Sequence, residues 1–472
     1  MDIKHLLAVD LGATSGRTTI ATFDGEKITM RELTRFANPM VPLAGQTHWN
    51  IVELYNQIIN ALKLAHSQGI ELTSIGIDTW GCDVAYFGKV GNLLSLPFCY
   101  RGSHTEGAMD EFFKRMPAKQ LYERSGIQFM PFNTIFQLDA INRKRLIDLE
   151  QVDKILFIPD ALNYMLSGRA TTEYTVATTG QIVKCATQQL DQKVLATAGI
   201  KAEQFGEFIP SGTVIGLLTE QLQQYTGLKQ TKVIAVAGHD TASAVAAVPV
   251  GSEAAYLSCG TWSLMGIKSD KPIINERSFE ENFTNEGGID GTIRFLKNIC
   301  GLWLFERCRA EFTDAPTDVA ELVALAGTVS EEFTTLINPD DPSFANPQSM
   351  IEAIDQYAER TGQQKPTTAA QYCNCIFRSL AARYKEVFTL LEEFAGRELE
   401  YLYVIGGGAQ NAMLMQLTAD ALQRNVIVGV AESTTLGNIL MQLRALGAIE
   451  REDMQRIIEG ATNSKSYKPK TK

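Results

Sequence analysis

The sequence predicts an α/β protein made of two related halves, and three observations carry that reading. A strand–turn–strand unit with a Gly/Ser/Thr turn occurs at residues 6–21 and again at residues 254–267. Strand-like apolar segments alternate with helical stretches along the chain, the pattern of mixed sheets flanked by helices. Near the midpoint, the apolar run Val233-Ile234-Ala235-Val236-Ala237 leads into Gly238-His239-Asp240-Thr241 and then into small residues that read as a helix. A strand there delivers a carboxylate to a helix start.

The first unit reads as strand (Leu6-Leu7-Ala8-Val9-Asp10-Leu11), turn (Gly12-Ala13-Thr14-Ser15-Gly16) and second strand (Arg17 to Ala21). Turns of this composition present N–H groups and hydroxyls in concavities that bind phosphate. One such turn is as well explained by a plain hairpin. Two, one per half, suggest a duplicated fold that clamps phosphates between its halves. Asp10, at a strand end, is placed to hold Mg²⁺ through water, because Mg²⁺ favours carboxylate, water and phosphate oxygens together. Next comes a helix start, Asn50 with Glu53, a variant of the capping box. The helix it opens puts Ile51, Tyr55, Ile58, Leu62 and Ala65 on one face.

Asp240 admits two readings. A carboxylate at a strand end is well placed to take a proton from a bound hydroxyl, and Asp is also a common helix cap. The second hairpin places Thr261 in its turn, Ser258-Cys259-Gly260-Thr261, and Cys259 there is expected to be open to alkylating agents. Further on, the strand Leu402-Tyr403-Val404-Ile405 meets Gly406-Gly407-Gly408, and a helix opens at Ala409-Gln410-Asn411. Glycines let a nucleotide approach the backbone, and a helix N-terminus favours anions. Gly406, Gly408 and Asn411 also occupy the positions of a dinucleotide fingerprint, with Glu432 after the next strand. The third position is Asn rather than Gly or Ala, and little chain follows, so a nicotinamide-binding domain is rejected. There is no Walker A motif, which excludes a P-loop kinase.

Taken in order, these segments resemble the FGGY carbohydrate kinase family. The residues that carry the resemblance are 9–17; Ser74-Ile75-Gly76-Ile77-Asp78-Thr79-Trp80-Gly81; Ser125-Gly126-Ile127-Gln128-Phe129 with Pro131-Phe132-Asn133-Thr134; His239-Asp240-Thr241-Ala242-Ser243-Ala244; Gly260-Thr261-Trp262-Ser263-Leu264-Met265-Gly266; Thr284-Asn285-Glu286-Gly287-Gly288; Leu296-Lys297-Asn298-Ile299; and Gly406-Gly407-Gly408. The resemblance implies a two-domain actin-like/hexokinase-like ATPase fold with duplicated ribonuclease H-like domains and an interdomain cleft. Residues 1–247 would hold the sugar site and the first phosphate hairpin, and residues 248–472 the second hairpin and the adenosine site. It further implies a kinase using ATP and Mg²⁺ on a small ketose. The nearest branch phosphorylates the 1-hydroxyl of L-rhamnulose, with L-fuculose or another ketose as the alternative.

By the same resemblance, Asp240 would be the general base. Ala13, Thr14, Ser15, Gly16 and Arg17 would hold phosphates, with Thr261 contacting them from the second hairpin. Gly406, Gly407 and Gly408 would flank adenosine, and Glu306 would stand at a nucleotide contact. Gly81, His239, Thr241 and Asn298 would line the sugar site, with Trp80 either facing the sugar or in the core. Asp10 would lie near Mg²⁺. Two places depart from the family pattern. Tyr100-Arg101-Gly102-Ser103-His104 lacks an expected Asp and Arg, and Glu306 replaces an expected Gln. The first bears on sugar choice, because an unpaired polar group in a sugar pocket discriminates strongly.

Bulk properties limit the alternatives. The chain has 472 residues, which favours two or three domains. A net charge of −11 disfavours nucleic acid as a partner and leaves phosphate to local N–H groups and Mg²⁺. No apolar leader or membrane span is legible, so a cytoplasmic location is expected. The eight cysteines show no zinc spacing and no CxxC, and Cys373 and Cys375 read as small helix residues. Val250-Gly251-Ser252 has linker character, with the hinge expected near 248–251. The lysines of the last ten residues, Lys472 included, read as a solvated tail. A non-catalytic ATP-sensing protein of the same fold is the alternative from another class. It would need no base at Asp240 and would bring a DNA- or peptide-binding extension, for which the chain shows no room.

Overall fold

The computed structural model describes residues 3–249, 251, 253–461 and 464–470. The chain forms two compact units: Met1–Pro249 with Ser269–Phe295 and Glu432–Ala461, and Val250–Lys268 with Leu296–Ala431 and Thr462–Lys472. Residues 269–295 and 432–461 thus pack with the first unit although they follow residue 248 in sequence. Of the expected linker, Val250 and Ser252 lie outside the described residues, as does Lys472 of the expected tail.

The first unit is built on a six-stranded sheet. Its strands are β1 (Lys4–Leu11), β2 (Ser15–Phe23), β3 (Ile28–Ala37), β4 (Leu72–Thr79), β5 (Thr213–Leu217) and β6 (Lys232–Ala235), in the order β5-β6-β4-β1-β2-β3. β1 and β2 form the expected antiparallel hairpin, with Leu11 opposite Gly16. β4 runs parallel to β1 and β6 parallel to β4. Central strands of this kind are buried on both faces, so they read as unbroken apolar runs; Leu6, Leu7, Ala8 and Val9 are all buried. Helix α1 (Ile51–Ser67) covers part of this core. It starts where Asn50 Oδ1 accepts the Glu53 N–H at 3.2 Å. Its buried face is Ile51, Leu54, Ile58, Ala61, Leu62 and Ala65. Tyr55, expected on that face, is half-buried and hydrogen-bonds Met165 O through its hydroxyl. Leu54 and Ala61 complete the stripe. Helix α2 (Asp240–Ala246) follows β6.

The second unit repeats this plan. Its sheet contains β7 (Ala254–Cys259), β8 (Trp262–Ser269), β9 (Tyr401–Ile405), β10 (Asn425–Val428) and β11 (Lys465–Tyr467), adjacent in the order β8-β7-β9-β10-β11. β7 and β8 are an antiparallel hairpin, β9 runs parallel to β7, β10 parallel to β9, and β11 antiparallel to β10. The first sheet has the same sequence of pairings through β2-β1-β4-β6-β5. This is the duplication that the two glycine hairpins predict. Helix α3 (Ala369–Ala395) buries Cys373 and Cys375 as small helix residues, and packs against α4 (Ala412–Leu422).

Helix α5 (Ser433–Ala445) explains why residues after 431 return to the first unit. Its face toward β1 and β4 carries buried polar side chains that bond across to those strands. Asn438 Nδ2 donates to Gly76 O and Asp78 Oδ2, Gln442 Nε2 donates to Leu7 O, and Ser74 Oγ donates to Gln442 Oε1. Buried polar groups are tolerated only when paired in this way. α5 also lies against α2 so closely that a Cβ on Gly437 would stand 1.8 Å from Ser243 O. No helix among the described residues is long and apolar enough to cross a membrane.

Gly437→Ala should therefore force α5 off α2 and destabilise the protein by about 3 kcal/mol or more. Gly460→Ala, where nothing lies within 4 Å of the added methyl, should be neutral or stabilise by about 0.5–1 kcal/mol. Thermal denaturation of the two variants checks the contrast. A Gly437→Ala protein with the wild-type Tm would show that the α2–α5 approach is not a constraint.

Candidate active site

The register of the first sheet sets three carboxylates at neighbouring strand ends. Asp10 on β1 stands directly opposite Asp78 on the parallel strand β4. One residue on, Thr79 forms a parallel bridge with His239, and Thr79 N donates to Gly238 O at 2.9 Å. Asp240 is the next residue. Carboxyl ends of parallel strands are where open α/β sheets bind ligands.

Each carboxylate is held differently. Asp10 Oδ2 accepts from Arg17 Nε at 2.9 Å and Nη2 at 2.6 Å, a cross-strand pair on the hairpin. Arg17 also pairs with Glu432. Its guanidinium is thus committed to carboxylates, not to the turn beside it. The turn itself is closed by Gly12 N–H donating to Ser15 O and is braced by Asn38, which bonds Gly12 O and Thr14 O. Gly16 is buried, Ala13 is half-buried, and Thr14 and Ser15 stand exposed. Asp78 is fully buried. Its Oδ2 accepts from Asn438 at 2.6 Å, and Oδ1 has no partner. Burial, reinforced by the charge of Asp10, holds its carboxyl well above the usual range.

Asp240 opens α2, and the capping position is His239, which makes no side-chain cap bond. Asp240 Oδ1 accepts the Thr241 N–H at 2.5 Å and lies 3.2 Å from Thr241 Oγ1. Surrounding protein raises its pKa, the nearby His239 partly offsets this, and Asp10 adds to it. The side chain nevertheless keeps 33% of its surface open, so it sits deep but reachable. Thr241 itself is buried.

Two supports of this strand end were not singled out from the sequence. Glu173, fully buried, accepts from Thr175 N, Thr175 Oγ1, Val176 N, Ser211 Oγ and Gly238 N. It pins the peptide just before His239, and His239 N in turn donates to Thr175 Oγ1 at 3.4 Å. On the far side of the imidazole lie Glu286 and Arg294, both buried. No local signal marks Glu173. Arg294 does leave one: a cation inside the apolar strand run Ile293-Arg294-Phe295-Leu296.

After β4 the chain turns sharply. A Cβ on Gly81 would meet Thr179 Oγ1 at 2.7 Å, and Cys82 adopts φ 71°. A left-handed residue other than glycine is uncommon and is found where surrounding structure holds it. Here Thr179 Oγ1 accepts the Cys82 N–H, and Thr134 and Gln137 donate to Cys82 O. The turn delivers Asp83 into the core, where it accepts from Trp49 Nε1, Trp80 Nε1, Tyr100 N and Gln137 Nε2. Trp80 is therefore a core residue, its ring tilted against that of Trp49 with centroids 4.5 Å apart, and does not present its ring as a free surface. His104 is also interior. Its ring Nε2 bonds Gln137 Oε1 at 3.1 Å, and burial pushes its pKa down to about 4, so it is neutral. A Cβ on Gly102 would come within 3.1 Å of His104 Nδ1. Gly102 and His104, the two changed positions of the first departure, thus lie against each other, and His104 reaches Asp83 through Gln137.

The second unit gathers the other candidates. Ser258 pairs with Ile405, which brings the β7–β8 turn beside Gly406. A Cβ on Gly406 would meet Cys259 O at 2.7 Å, and one on Gly408 would meet Cys259 Sγ at 2.4 Å, so glycine is required at both. Gly406 also has φ 89°. Nothing lies within 4 Å above Gly407, which leaves open space over that backbone. Thr261 is exposed, and its carbonyl accepts from Trp303 N at the start of the helix that carries Glu306. Glu306 is exposed and paired with Arg309 three residues on. Asn298 is half-buried on the strand Ile293–Cys300. Cys259 is fully buried, with its thiol pushed up to about 11 by burial, which corrects the expectation that alkylating agents would reach it.

Residues 5–247 match the N-terminal domain, and residues 255–446 the C-terminal domain, of the FGGY family of carbohydrate kinases. The chain belongs to that family. It is 47% identical to a rhamnulokinase of Bacteroides thetaiotaomicron over 99% of this chain and 96% of that protein. It is 41% identical to a rhamnulokinase of Pectobacterium atrosepticum, over 95% of this chain and 90% of that one. Among solved structures, it resembles a gluconate kinase from Lactobacillus acidophilus with a TM-score of 0.82 at 17% identity, covering 99% and 94% of the two chains. A glycerol kinase from Plasmodium falciparum follows the same path with a TM-score of 0.79 at 16% identity, covering 100% and 95%. The fold is the two-domain actin-like ATPase fold, and the protein is a carbohydrate kinase.

The Asp83 cradle provides a test of the turn after β4. Asn in place of Asp83 sets an NH₂ against a donor, which should cost about 1–3 kcal/mol. Burial raises the Asp83 pKa to about 6, against about 3.9 when unfolded. The folded state therefore binds the proton more tightly, and this contribution is full below the unfolded value and lost as pH rises through the folded one. The Tm gap between wild type and Asp83→Asn should be widest below about pH 4 and narrow as pH passes about 6. A gap that widens with pH would show that the cradle favours the ionised form.

Proposed function

We propose that this kinase transfers the γ-phosphoryl group of ATP to the 1-hydroxyl of L-rhamnulose, with Asp240 as the general base. The observation that carries the chemistry is the Asp240 carboxylate: deep in the protein, open over a third of its surface, and flanked by donors that fix its orientation. The ketose is inferred from relatives named rhamnulokinase that align over at least 90% of their own length. Phosphoryl transfer relies on positioning and charge neutralisation, so one base and one cation suffice.

In this reading the turn from Ala13 to Gly16 offers N–H groups to the β- and γ-phosphates, and Thr261 does so from the second hairpin. Arg17 serves indirectly by holding Asp10. The open backbone at Gly406, Gly407 and Gly408 receives adenosine. Glu306 suits ribose hydroxyls rather than phosphate, because it is anionic. Gly81, His239, Thr241 and Asn298 hold the sugar hydroxyls, and Asp240 takes the proton of the attacking one.

Asp10 is the proposed protein contact for Mg²⁺. The fit rests on hard oxygen donors, with the unpartnered Asp78 Oδ1 on the neighbouring strand. No group of three or more candidate ligands occurs among the described residues. Mg²⁺ needs none, since it keeps several waters and binds through one or two carboxylates and substrate phosphates. When bound, it would neutralise phosphate charge.

ADP release should be measured with ATP and Mg²⁺ against L-rhamnulose, L-fuculose, L-ribulose, D-xylulose and L-xylulose. L-Rhamnulose should give the highest kcat/KM. A preference for L-fuculose would keep the mechanism and move the specificity, and no turnover with any ketose would reject the proposal. Asp240→Asn should lower kcat by about 10²–10⁴-fold with both substrates still bound. Since the Asp240 pKa is raised, the acidic limb of the wild-type pH profile should lie above the ordinary aspartate value of about 3.9. Thr261→Ala should raise KM for ATP more than for the sugar.

A further inference from the structure

We propose that Arg294 is a positioning residue for the base: it fixes the tautomer of His239 and so turns a ring N–H toward Asp240. The proposal rests on Asp240 being the base.

Arg294 lies 1% exposed on the strand Ile293–Cys300. Its Nε donates to Gly287 O at 2.9 Å, which orients the guanidinium. Its Nη2 then lies 3.1 Å from His239 Nδ1 in hydrogen-bonding geometry. A guanidinium has only donors and stays protonated in proteins, so Nδ1 must accept. A neutral imidazole that accepts at Nδ1 carries its proton on Nε2. That nitrogen faces Asp240 Oδ1 at 3.5 Å, a separation of the kind that shortens when a catalytic complex forms. Glu286 Oε2 lies 3.1 Å from Arg294 Nη2 and 3.4 Å from His239 Nδ1. It balances the guanidinium charge. The charged groups facing the ring are thus Arg294, Glu286 and Asp240.

This arrangement assigns separate roles to the two oxygens of Asp240. Oδ1 accepts from Thr241 N, with Thr241 Oγ1 at 3.2 Å, and faces His239 Nε2. Two donors from Thr241, with His239 Nε2 facing the same oxygen, fix the carboxylate plane and leave Oδ2 to receive the sugar proton. In the other tautomer, the Nε2 lone pair would face Oδ1 and push the carboxylate away. Arg294 excludes that state without touching substrate.

The test pairs kinetics with a direct reading of the tautomer. ¹⁵N NMR of histidine-labelled protein reports which ring nitrogen carries the proton, and His239→Asn identifies the His239 signal among the five histidines. In the wild type, His239 should show protonated Nε2 and bare Nδ1. The variant is Arg294→Met combined with Glu286→Gln, which removes both buried charges and avoids stranding one. There the His239 signal should become a mixture, and kcat should fall by about tenfold or more with KM for ATP unchanged. Arg294→Lys keeps a cationic donor and should recover part of both readouts.

A wild-type Nδ1–H tautomer, or wild-type kcat in the double variant, would overturn the proposal while leaving Asp240 as the base. Wild-type kcat in Asp240→Asn would instead remove the base reading, and the role of Arg294 with it, even with the Nε2–H tautomer intact.

Discussion

Like charges crowd the end of the first sheet, and much of that unit is organised around keeping them there. The parallel pairing of β1 and β4 puts Asp10 opposite Asp78, and the Thr79–His239 bridge adds Asp240 beside them. The charge of Asp10 adds to burial in raising the pKa of both Asp78 and Asp240. The protein answers each one separately. Arg17 neutralises Asp10, Asn438 gives Asp78 a donor but no charge, and Thr241 and His239 face Asp240. Only the Asp240 arrangement combines an open carboxylate with a raised pKa, which suits a group that must accept a proton and later release it.

The same constraint accounts for the non-contiguous units. Asn438, Gln442 and Glu432 come from the last part of the chain, yet they satisfy strand carbonyls, Asp78 and Arg17 in the first unit. A helix with an apolar inner face would cover those strands equally well but would leave Asp78 without a donor. The polar face of α5 is the reason its segment folds with β1 and β4 instead of with its neighbours in sequence. Gly437 permits it by allowing backbone contact with α2.

The second unit carries no equivalent charge cluster in its glycine turns. There the limiting quantity is space. Gly406 and Gly408 are packed against Cys259, which any side chain would strike, whereas Gly407 faces open volume. Two glycines are thus required by the protein's own packing and the third by nothing in the chain itself. The proposed adenosine site lies over that open backbone.

The elements that could be read directly are those whose signal is local. The two hairpins, the strand before Asp240 and the start of α1 depend on turn composition, apolar runs and a cap, and all form where the residues indicate. The surroundings of His239 could not be read, because Glu173, Glu286 and Arg294 lie 47 or more residues from it in sequence and meet its segment only in the folded chain. Trp80 and Cys259 went the same way: each occupies a motif, but burial depends on which face the sheet covers. The sequence by itself determined the duplicated α/β plan and the family, since both rest on ordered local motifs. Tertiary structure alone decided which carboxylate stays open, which charged groups surround His239 and where residues 432–461 belong, because hydrogen bonds between distant segments and the burial of charge exist only once the strands are aligned.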